Sequence, residues 1–237
     1  MNDIVNTAVV KRAGLFETTV QKLFTRSAHV LEIVDFGSTF RLVTLGGDAL
    51  RDVDWTPGDK IQIQLGGWVQ RTYTPIDWDS VHGRTRILVC LHAPGPGTAW
   101  ARRLQTGDPC VVFGPRKSIQ AGRSTIVVGD ETSVGLAAAL SGQALLEVAA
   151  LADTQPVIDY LGLHAVQLTA RLDTDRHFGE LETRVAALLM IDATVEIVLT
   201  GRASTIQHMT RFLKQTEMGS GRRHSKAYWA SGKTGLD

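Results

Sequence analysis

The chain has little cysteine, and this shortage excludes the common protein-bound metal centres. Among 237 residues there are only two cysteines, Cys90 and Cys110, and each lies inside an apolar run. No spacing of cysteine and histidine fits a zinc or iron–sulfur site, so we predict no metal ligands. We expect two small buried strand residues, with a disulfide as the open alternative. Any redox chemistry must therefore come from a bound organic cofactor.

Charge of one sign and long apolar runs are also scarce. The formal net charge is +1 and there is no dense run of lysine and arginine, which argues against a nucleic-acid partner. No apolar stretch is long enough to span a bilayer, and residues 1–11 lack the pattern of a signal peptide. We therefore expect a soluble, cytoplasmic protein without membrane insertion. Nothing in the sequence indicates its oligomeric state.

The first half has the pattern of an all-β domain. Residues 60–65 alternate polar and apolar side chains, as a half-buried strand does, and glycine and proline separate the runs. Short strands at this spacing predict a closed antiparallel barrel or a sandwich, interrupted by one helical turn at Thr98–Leu104. The predicted strands are Ala28–Asp35, Phe40–Leu45, Lys60–Leu65, Thr72–Trp78, Thr85–His92 and Pro109–Gly114.

In the second half the pattern of apolar residues is no longer the period-two alternation of the first half. Residues 124–129 form an uninterrupted, largely β-branched run, which is typical of a strand buried on both faces. Strands that alternate with helices predict a doubly wound parallel sheet, and we place the two domains at residues 1–117 and 118–237. The later predicted elements are strands Leu145–Leu151, Ala165–Leu172 and Thr194–Leu199, and helices Ser133–Ser141, Gly179–Leu189 and Ser204–Thr216.

Two segments of the first half carry groups that suit a dinucleotide with a flat ring. Residues 71–74 read Arg-Thr-Tyr-Thr: an arginine binds a diphosphate, a tyrosine ring stacks on a heterocycle, and a threonine meets a ring nitrogen. Residues 95–101 offer small residues and a helix start near Thr98, where backbone N–H groups can donate hydrogen bonds to a phosphate. Taken alone, residues 71–74 are better explained as an ordinary strand, and residues 95–101 as a proline–glycine turn before a structural helix.

The second half places polar groups where such sheets bind ligands, beyond the carboxyl ends of the strands. Residues 129–132 read Gly-Asp-Glu-Thr after the first strand, which is also the pattern of a simple helix cap. Asp153 and Arg171 follow later strands and are weaker candidates, for a ribose hydroxyl and a 2′-phosphate respectively. A solvated loop is the favoured interpretation of Asp153.

These motifs, in this order and with Tyr228-Trp229 before Gly232, resemble the siderophore-interacting protein family. These are ferric-siderophore reductases within the ferredoxin–NADP reductase-like superfamily. The resemblance runs from about residue 24 to residue 232. It implies an N-terminal, FAD-binding antiparallel Greek-key β-barrel, followed by a doubly wound parallel-sheet domain that binds NAD(P)H.

The resemblance also implies residue roles. Arg71 would hold the FAD diphosphate, Tyr73 would stack on the isoalloxazine and Thr74 would lie near its reactive nitrogen, the last two being the catalytic pair. The other implied cofactor contacts are His92, Gly97, Thr98 and Ala99 at the FAD ribose and phosphates, Asp130, Glu131, Thr132 and Gly201 on the nicotinamide side, and Tyr228 and Trp229 at the flavin face.

Two basic features extend this prediction. Arg202 stands where relatives often have a glutamate, so a cation replaces an anion near the nicotinamide, which favours a phosphorylated donor or marks an altered site. Arg222, Arg223 and Lys226 form a cluster before the C-terminal aromatic pair. Such a cluster would attract an anionic ferric siderophore, with a solvated loop as the alternative.

The predicted function is therefore FAD-dependent, NAD(P)H-driven reduction of ferric siderophores, with release of iron as Fe(II). The partner is a small-molecule iron chelate, and the flavin carries the chemistry while the protein orients it. Two alternatives stay open. One is a flavin oxidoreductase with another electron acceptor, and the other is a flavin-binding accessory or sensor protein without turnover.

Overall fold

A computed structural model of the protein describes residues 25–91, 94–122 and 124–232. His92, a predicted FAD contact, lies outside the described residues. The first half forms one antiparallel sheet, a 3₁₀ turn at Asp48–Leu50 and a helix, α1, at Pro96–Arg103. Its strands are β1 Thr25–Phe36, β2 Phe40–Gly46, β3 Lys60–Gly66, β4 Val69–Tyr73, β5 Pro75–Asp79, β6 Arg84–Cys90 and β7 Pro109–Arg116.

The order of these seven strands is β4-β3-β7-β1-β2-β6-β5, so the edge strands are consecutive in the chain. Only Thr74 separates them, and the sheet must therefore curl until its two edges meet at this residue. This confirms the predicted closed antiparallel barrel. The single predicted strand at Thr72–Trp78 is wrong: β4 pairs with β3 and β5 pairs with β6. Pro75 begins the second strand, since proline lacks the N–H that a continuous ladder needs.

The second half confirms the doubly wound fold. Its five strands are all parallel, in the order β10-β9-β8-β11-β12. Across the described ranges, no helix combines the length and apolar composition that crossing a membrane requires. The elements are β8 Thr125–Asp130, a 3₁₀ turn Glu131–Ser133, α2 Val134–Leu140, β9 Gln143–Val148, α3 Leu151–Tyr160, β10 Val166–Ala170, α4 Phe178–Ile191, β11 Glu196–Arg202, α5 Ala203–Gln215 and β12 Arg223–Trp229.

Two of these elements were not predicted from the sequence. Helix α3 contains Pro156, which breaks the usual helical pattern, and it begins where the predicted strand Leu145–Leu151 was extended too far. Asp153 is therefore a helix residue rather than a loop residue, and its carboxylate accepts a hydrogen bond of 2.8 Å from the Thr39 hydroxyl. Strand β12 is polar, because an edge strand on β11 buries only part of each side chain.

A hydrophobic cluster joins the two halves. Phe40 and Ile76 of the barrel pack in one buried cluster with Val127 and Val134 of the second half. The predicted division at residue 117 falls between the two sheets and stays a prediction. Because a single cluster contains side chains from both sheets, we expect the halves to unfold together.

Phe40→Ala should test this shared core. Phe40 is fully buried, so its removal should lower the free energy of unfolding by about 3–5 kcal/mol. Chemical denaturation followed by fluorescence and by circular dichroism should give one coincident transition in both proteins. Val81→Ala is the control, because Val81 is 73 % exposed and should change stability by less than about 0.5 kcal/mol. Two separate transitions in the parent protein would contradict a shared core.

Candidate functional site

The parallel sheet has its topological switch point between β8 and β11. From β8 the chain moves to β9 and β10 on one side, and β11 and β12 lie on the other. Ligands of such sheets bind in the crevice beyond the carboxyl ends at this point. Asp130 ends β8, Arg202 ends β11 and Trp229 ends β12. The structure therefore brings the three predicted segments of the second half to one edge.

Asp130 is the centre of this edge. Its side chain is fully buried, and its carboxylate accepts hydrogen bonds from the Thr132 backbone N–H at 2.9 Å and the Trp229 indole N–H at 2.6 Å. Gly201 lies against the same carboxylate with a φ of +88°, and a Cβ at this position would be 2.5 Å from Asp130 Oδ1. Only glycine fits there, because both the backbone angle and the space exclude a side chain.

Burial controls the charge of Asp130. Desolvation raises the pKa of its carboxyl group to about 6, and the neighbouring Glu131 charge raises it further, while bonds from Thr132 and Trp229 oppose the shift. Its ionised form is therefore less favourable in the folded protein than in the unfolded chain. This carboxyl group gains its proton much closer to neutral pH than an exposed aspartate does.

Two arginines at this edge are paired with carboxylates. Arg171 donates to both oxygens of Glu131, at 2.9 and 2.6 Å, and its guanidinium carbon lies 5.6 Å from the centre of the Trp229 ring. Arg202 Nη1 lies 3.0 Å from Asp175 Oδ1. Arg171 and Arg202, the two cations predicted near a 2′-phosphate, are therefore partly neutralised by carboxylates of the protein itself.

The carboxyl edge of the parallel sheet forms one wall of the candidate site, and the barrel contributes a second wall. Arg71 and Tyr73 lie on one face of β4, since strand side chains alternate. A Cβ on Gly97 would be 3.2 Å from the Tyr73 hydroxyl and 3.6 Å from Arg71 Cγ, so the start of α1 lies against both side chains. Helix α1 begins at Pro96, two residues before the predicted start, and no side chain caps it at Gly95.

This arrangement fits a diphosphate. Backbone can approach a phosphate closely at Gly97, the positive end of α1 favours an anion, and Arg71 adds a cation beside it. The Tyr73 ring lies 6.1 Å from the Trp100 ring, centre to centre, with an angle of 35° between the planes. Trp100 itself is part of the barrel core, whereas the Tyr73 hydroxyl lies beside Gly97 at the start of α1.

Tyr228 connects the two walls. Burial raises the pKa of its hydroxyl to about 12, and the side chains of Thr74 and Thr200 lie close enough to oppose that rise. Thr74 is the residue at which the barrel closes, and Thr200 belongs to β11. The predicted flavin wall and the predicted nicotinamide crevice therefore meet at this hydroxyl.

The structure does not bring the basic cluster to this site. Arg222 and Arg223 lie at the start of β12, about 20 Å from Trp229 at its end, because a strand rises about 3.3 Å per residue. Arg223 donates to the backbone oxygens of Met218 and Gly219, at 2.9 and 3.2 Å. Arg222 and Arg223 therefore do not form the predicted rim beside the flavin, because the segment that separates them from Trp229 is an extended strand.

Lys226 lies midway along the same strand, and its ammonium group donates to the Ser118 hydroxyl at 3.2 Å.

Sequence reasoning also missed the polar pair behind the crevice. Thr200 and Ser133 are fully buried, and their hydroxyl oxygens lie 2.9 Å apart. The sequence did contain one indication of this pair, because Thr200 ends the otherwise apolar run of β11.

The order of the two sheets is that of a known fold. An antiparallel barrel followed by a doubly wound sheet is the arrangement of the ferredoxin reductase-like two-domain fold. Residues 66–119 match the family model of the siderophore-interacting FAD-binding domain. The resemblance stated from the motifs is thereby confirmed, with the match lying on the barrel wall that carries Arg71, Tyr73 and Gly97.

Solved structures share the fold over most of the chain. A siderophore utilization protein from T. fusca has a TM-score of 0.70 and 22 % identity, covering 90 % of this chain and 95 % of its own. The siderophore-interacting protein SipS from Aeromonas hydrophila has a TM-score of 0.67 and 22 % identity, covering 89 % and 93 %. The ferredoxin reductase of carbazole 1,9a-dioxygenase has a TM-score of 0.69 and 20 % identity, covering 86 % of this chain and 68 % of its own. Among curated protein sequences, none matches the chain.

Asp130→Asn should change how stability depends on pH. The folded pKa of about 6 lies above the ordinary value of 3.8, so ionisation destabilises the fold as the pH rises through this window. Between pH 4 and pH 7 the parent protein should lose up to roughly 3 kcal/mol of unfolding free energy relative to the variant, which cannot ionise.

Urea denaturation at several pH values measures this difference. Asp192→Asn is the control, because Asp192 is only partly buried and its pKa is lowered rather than raised. Parallel pH profiles for the parent protein and Asp130→Asn would show that Asp130 is not a destabilised buried carboxylate.

Proposed function

We propose that this protein is a cytoplasmic, FAD-dependent reductase of ferric siderophores that takes its electrons from NAD(P)H. The observation that carries the proposal is the proximity of Tyr228 to Thr74, whose side chain opposes the rise that burial causes in the pKa of the Tyr228 hydroxyl. It joins a wall suited to a flavin dinucleotide to the switch-point crevice, where doubly wound sheets bind their ligands. The family match over residues 66–119 supports FAD as the flavin and an iron chelate as the substrate.

The barrel residues would hold and orient the cofactor. Arg71 and the backbone of Gly97, Thr98 and Ala99 would bind the diphosphate, and Tyr73 would stack on the isoalloxazine. Thr74 would lie at the reactive edge of the ring, where its side chain lies close to Tyr228. When bound, FAD supplies the chemistry: it accepts a hydride from a nicotinamide and passes electrons singly to an acceptor.

The crevice residues would receive the electron donor. Glu131, Thr132 and Gly201 surround Asp130, and the Trp229 ring lies over this edge under the Arg171 guanidinium. An aromatic surface beside a fixed cation suits a flat nicotinamide ring and its attached phosphates. The ferric chelate needs no protein ligand to iron, because only an electron has to reach the metal.

Anaerobic reduction tests the proposal. The purified protein should take up FAD and turn yellow, and NADH or NADPH should bleach it. Ferric chelates added afterwards should restore the yellow colour and release Fe(II), which a chromogenic Fe(II) chelator detects. Bleaching that no ferric chelate reverses would favour another acceptor, and FAD uptake without bleaching would favour the accessory or sensor alternative. A protein that takes up no FAD would contradict every flavin function.

Arg71→Ala should lose FAD affinity. Removing a charge-assisted contact to the diphosphate should weaken binding by about tenfold to a hundredfold. Equilibrium titration followed by flavin fluorescence measures the change. Arg211→Ala is the matched control, since it removes the same charge from an exposed face of α5. Equal FAD affinity in the parent protein and Arg71→Ala would show that Arg71 does not hold the diphosphate.

Asp175→Asn should shift the donor preference towards NADPH. Asp175 neutralises Arg202 at the carboxyl edge, so its removal leaves a stronger positive field for a 2′-phosphate. The ratio of kcat/KM for NADPH over NADH should rise by about two- to fivefold, the range for a partly exposed ion pair. Asp173→Asn is the control, because it removes the same charge from the loop but leaves the Arg202–Asp175 pair in place. A ratio that changes equally in both variants would exclude a specific role for this pair.

A further inference from the structure

A buried polar network lies behind the loop that connects β10 to α4. Glu147 of β9, His177 at the N-cap of α4 and Thr205 in the first turn of α5 are all buried. The Glu147 carboxylate is bonded to His177 Nε2 at one oxygen and accepts from the Thr205 hydroxyl at the other. Neither the proposed flavin wall nor the proposed donor crevice includes any of these three side chains.

The backbone of the loop determines which nitrogen of the histidine ring carries the hydrogen. The Leu172 N–H lies 3.1 Å from His177 Nδ1, and a backbone N–H can only donate. Nδ1 is therefore the unprotonated nitrogen, and Nε2 carries the hydrogen that Glu147 accepts. The neutral imidazole thus links a buried carboxylate on β9 to the backbone of an exposed loop.

This loop, residues 171–176, lies at the carboxyl edge of the parallel sheet because it follows the end of β10. It contacts the crevice proposed for the electron donor at two points. At its start, the Arg171 guanidinium lies over the Trp229 ring. Near its end, Asp175 pairs with Arg202. The position of the loop therefore affects both arginines of the crevice.

The hydrogen bond from Leu172 to His177 attaches the loop to the protein interior. The Leu172 side chain is 47 % exposed, so its packing adds little. The Leu172 oxygen accepts from the Asp175 N–H at 3.0 Å, and Asp175 has a φ of +55°, a conformation that is uncommon outside glycine. A displacement of Leu172 would therefore be transmitted through this turn to Asp175 and to its partner Arg202.

Stability alone does not account for the buried network. Burying a carboxylate is costly even when it is paired, and apolar side chains of similar size in place of a buried polar pair are often neutral or stabilising. The network does provide direction, because Glu147 holds the imidazole with Nδ1 towards the Leu172 N–H. A carboxylate that orients a histidine ring in this way is a common arrangement around functional sites.

We infer that His177 is a positioning residue for the electron donor, because through Leu172 it holds the loop that carries Arg171 and Asp175 at the crevice. This inference rests on the proposed function, since it takes the crevice as the donor site. His177 is buried behind the loop and acts on the donor only through it. It should therefore affect the affinity for the donor and leave the rate of flavin reduction in the donor-saturated protein unchanged.

The test separates the two nitrogen atoms of the ring. The amide of asparagine takes the place of Nδ1 and the amide of glutamine takes that of Nε2, because the two side chains differ by one methylene group. His177→Asn keeps an acceptor for the Leu172 N–H, whereas His177→Gln keeps a donor for Glu147. The rate of anaerobic bleaching of the FAD-loaded protein, measured against the concentration of NADPH or NADH, gives the donor Kd and the limiting rate.

His177→Ala should raise the donor Kd by about two- to tenfold, as the loss of one hydrogen bond does, with the limiting rate and the FAD affinity unchanged. His177→Asn should recover most of the donor affinity, and His177→Gln should not, although it keeps the buried bond. His224→Ala is the matched control: it removes a histidine that lies 3.1 Å from Glu196 at the opposite edge of the same sheet, and it should not change the donor Kd.

The outcomes separate this inference from the proposed function. An unchanged donor Kd in His177→Ala, or a donor Kd that His177→Gln restores at least as well as His177→Asn, would overturn the role of His177. FAD affinity reports folding, so a loss of FAD and donor binding together would show that His177 supports the whole fold instead. If His177→Ala does not fold, the comparison of the other two variants decides alone. An FAD-loaded parent protein that neither NADPH nor NADH bleaches would overturn the proposed function itself.

Discussion

The closure of the barrel at Thr74 is the constraint on which the site depends. The strands at the two edges of the sheet are consecutive in the chain, and this single residue joins them. Tyr228, near the end of the last parallel strand, lies close to Thr74 of the barrel. The shared cluster around Phe40 and Val134 holds the two sheets together. As a result, the proposed flavin wall of the barrel lies beside the carboxyl edge of the parallel sheet.

The electrostatics of that edge are unusual because so much charge is buried there. Asp130 and Glu131 are both buried, and each is satisfied in a different way: Asp130 by a backbone amide and the Trp229 indole, and Glu131 by two bonds from Arg171. Buried charges without partners would cost several kcal/mol, and these pairs reduce that cost. The same pairs hold the Trp229 ring at the carboxyl edge, which links the stability of this edge to the shape of the proposed donor site.

The sequence predicted the parts of this structure that depend on regular patterns. Strands with period two gave the barrel, and β-branched runs between helices gave the parallel sheet. Helix α3 was not predicted because it contains Pro156. Strand β12 was not predicted because its sequence is polar, as that of an edge strand can be. That omission also misplaced Arg222 and Arg223, whose distance from Trp229 follows from an extended strand. Contacts such as Gly201 against Asp130 join residues about seventy positions apart, and no local pattern carries them.

A double-mutant cycle on Thr74→Val and Tyr228→Phe tests the central claim most directly, namely that the two walls meet where Tyr228 lies close to Thr74. The unfolding free energies of the parent protein, both single variants and the double variant are measured by urea denaturation at neutral pH. The account predicts a coupling energy of about 0.5–1.5 kcal/mol, the usual net worth of one hydrogen bond. Additive effects of the two substitutions, with a coupling energy of zero, would show that the barrel edge and the parallel sheet are not joined there.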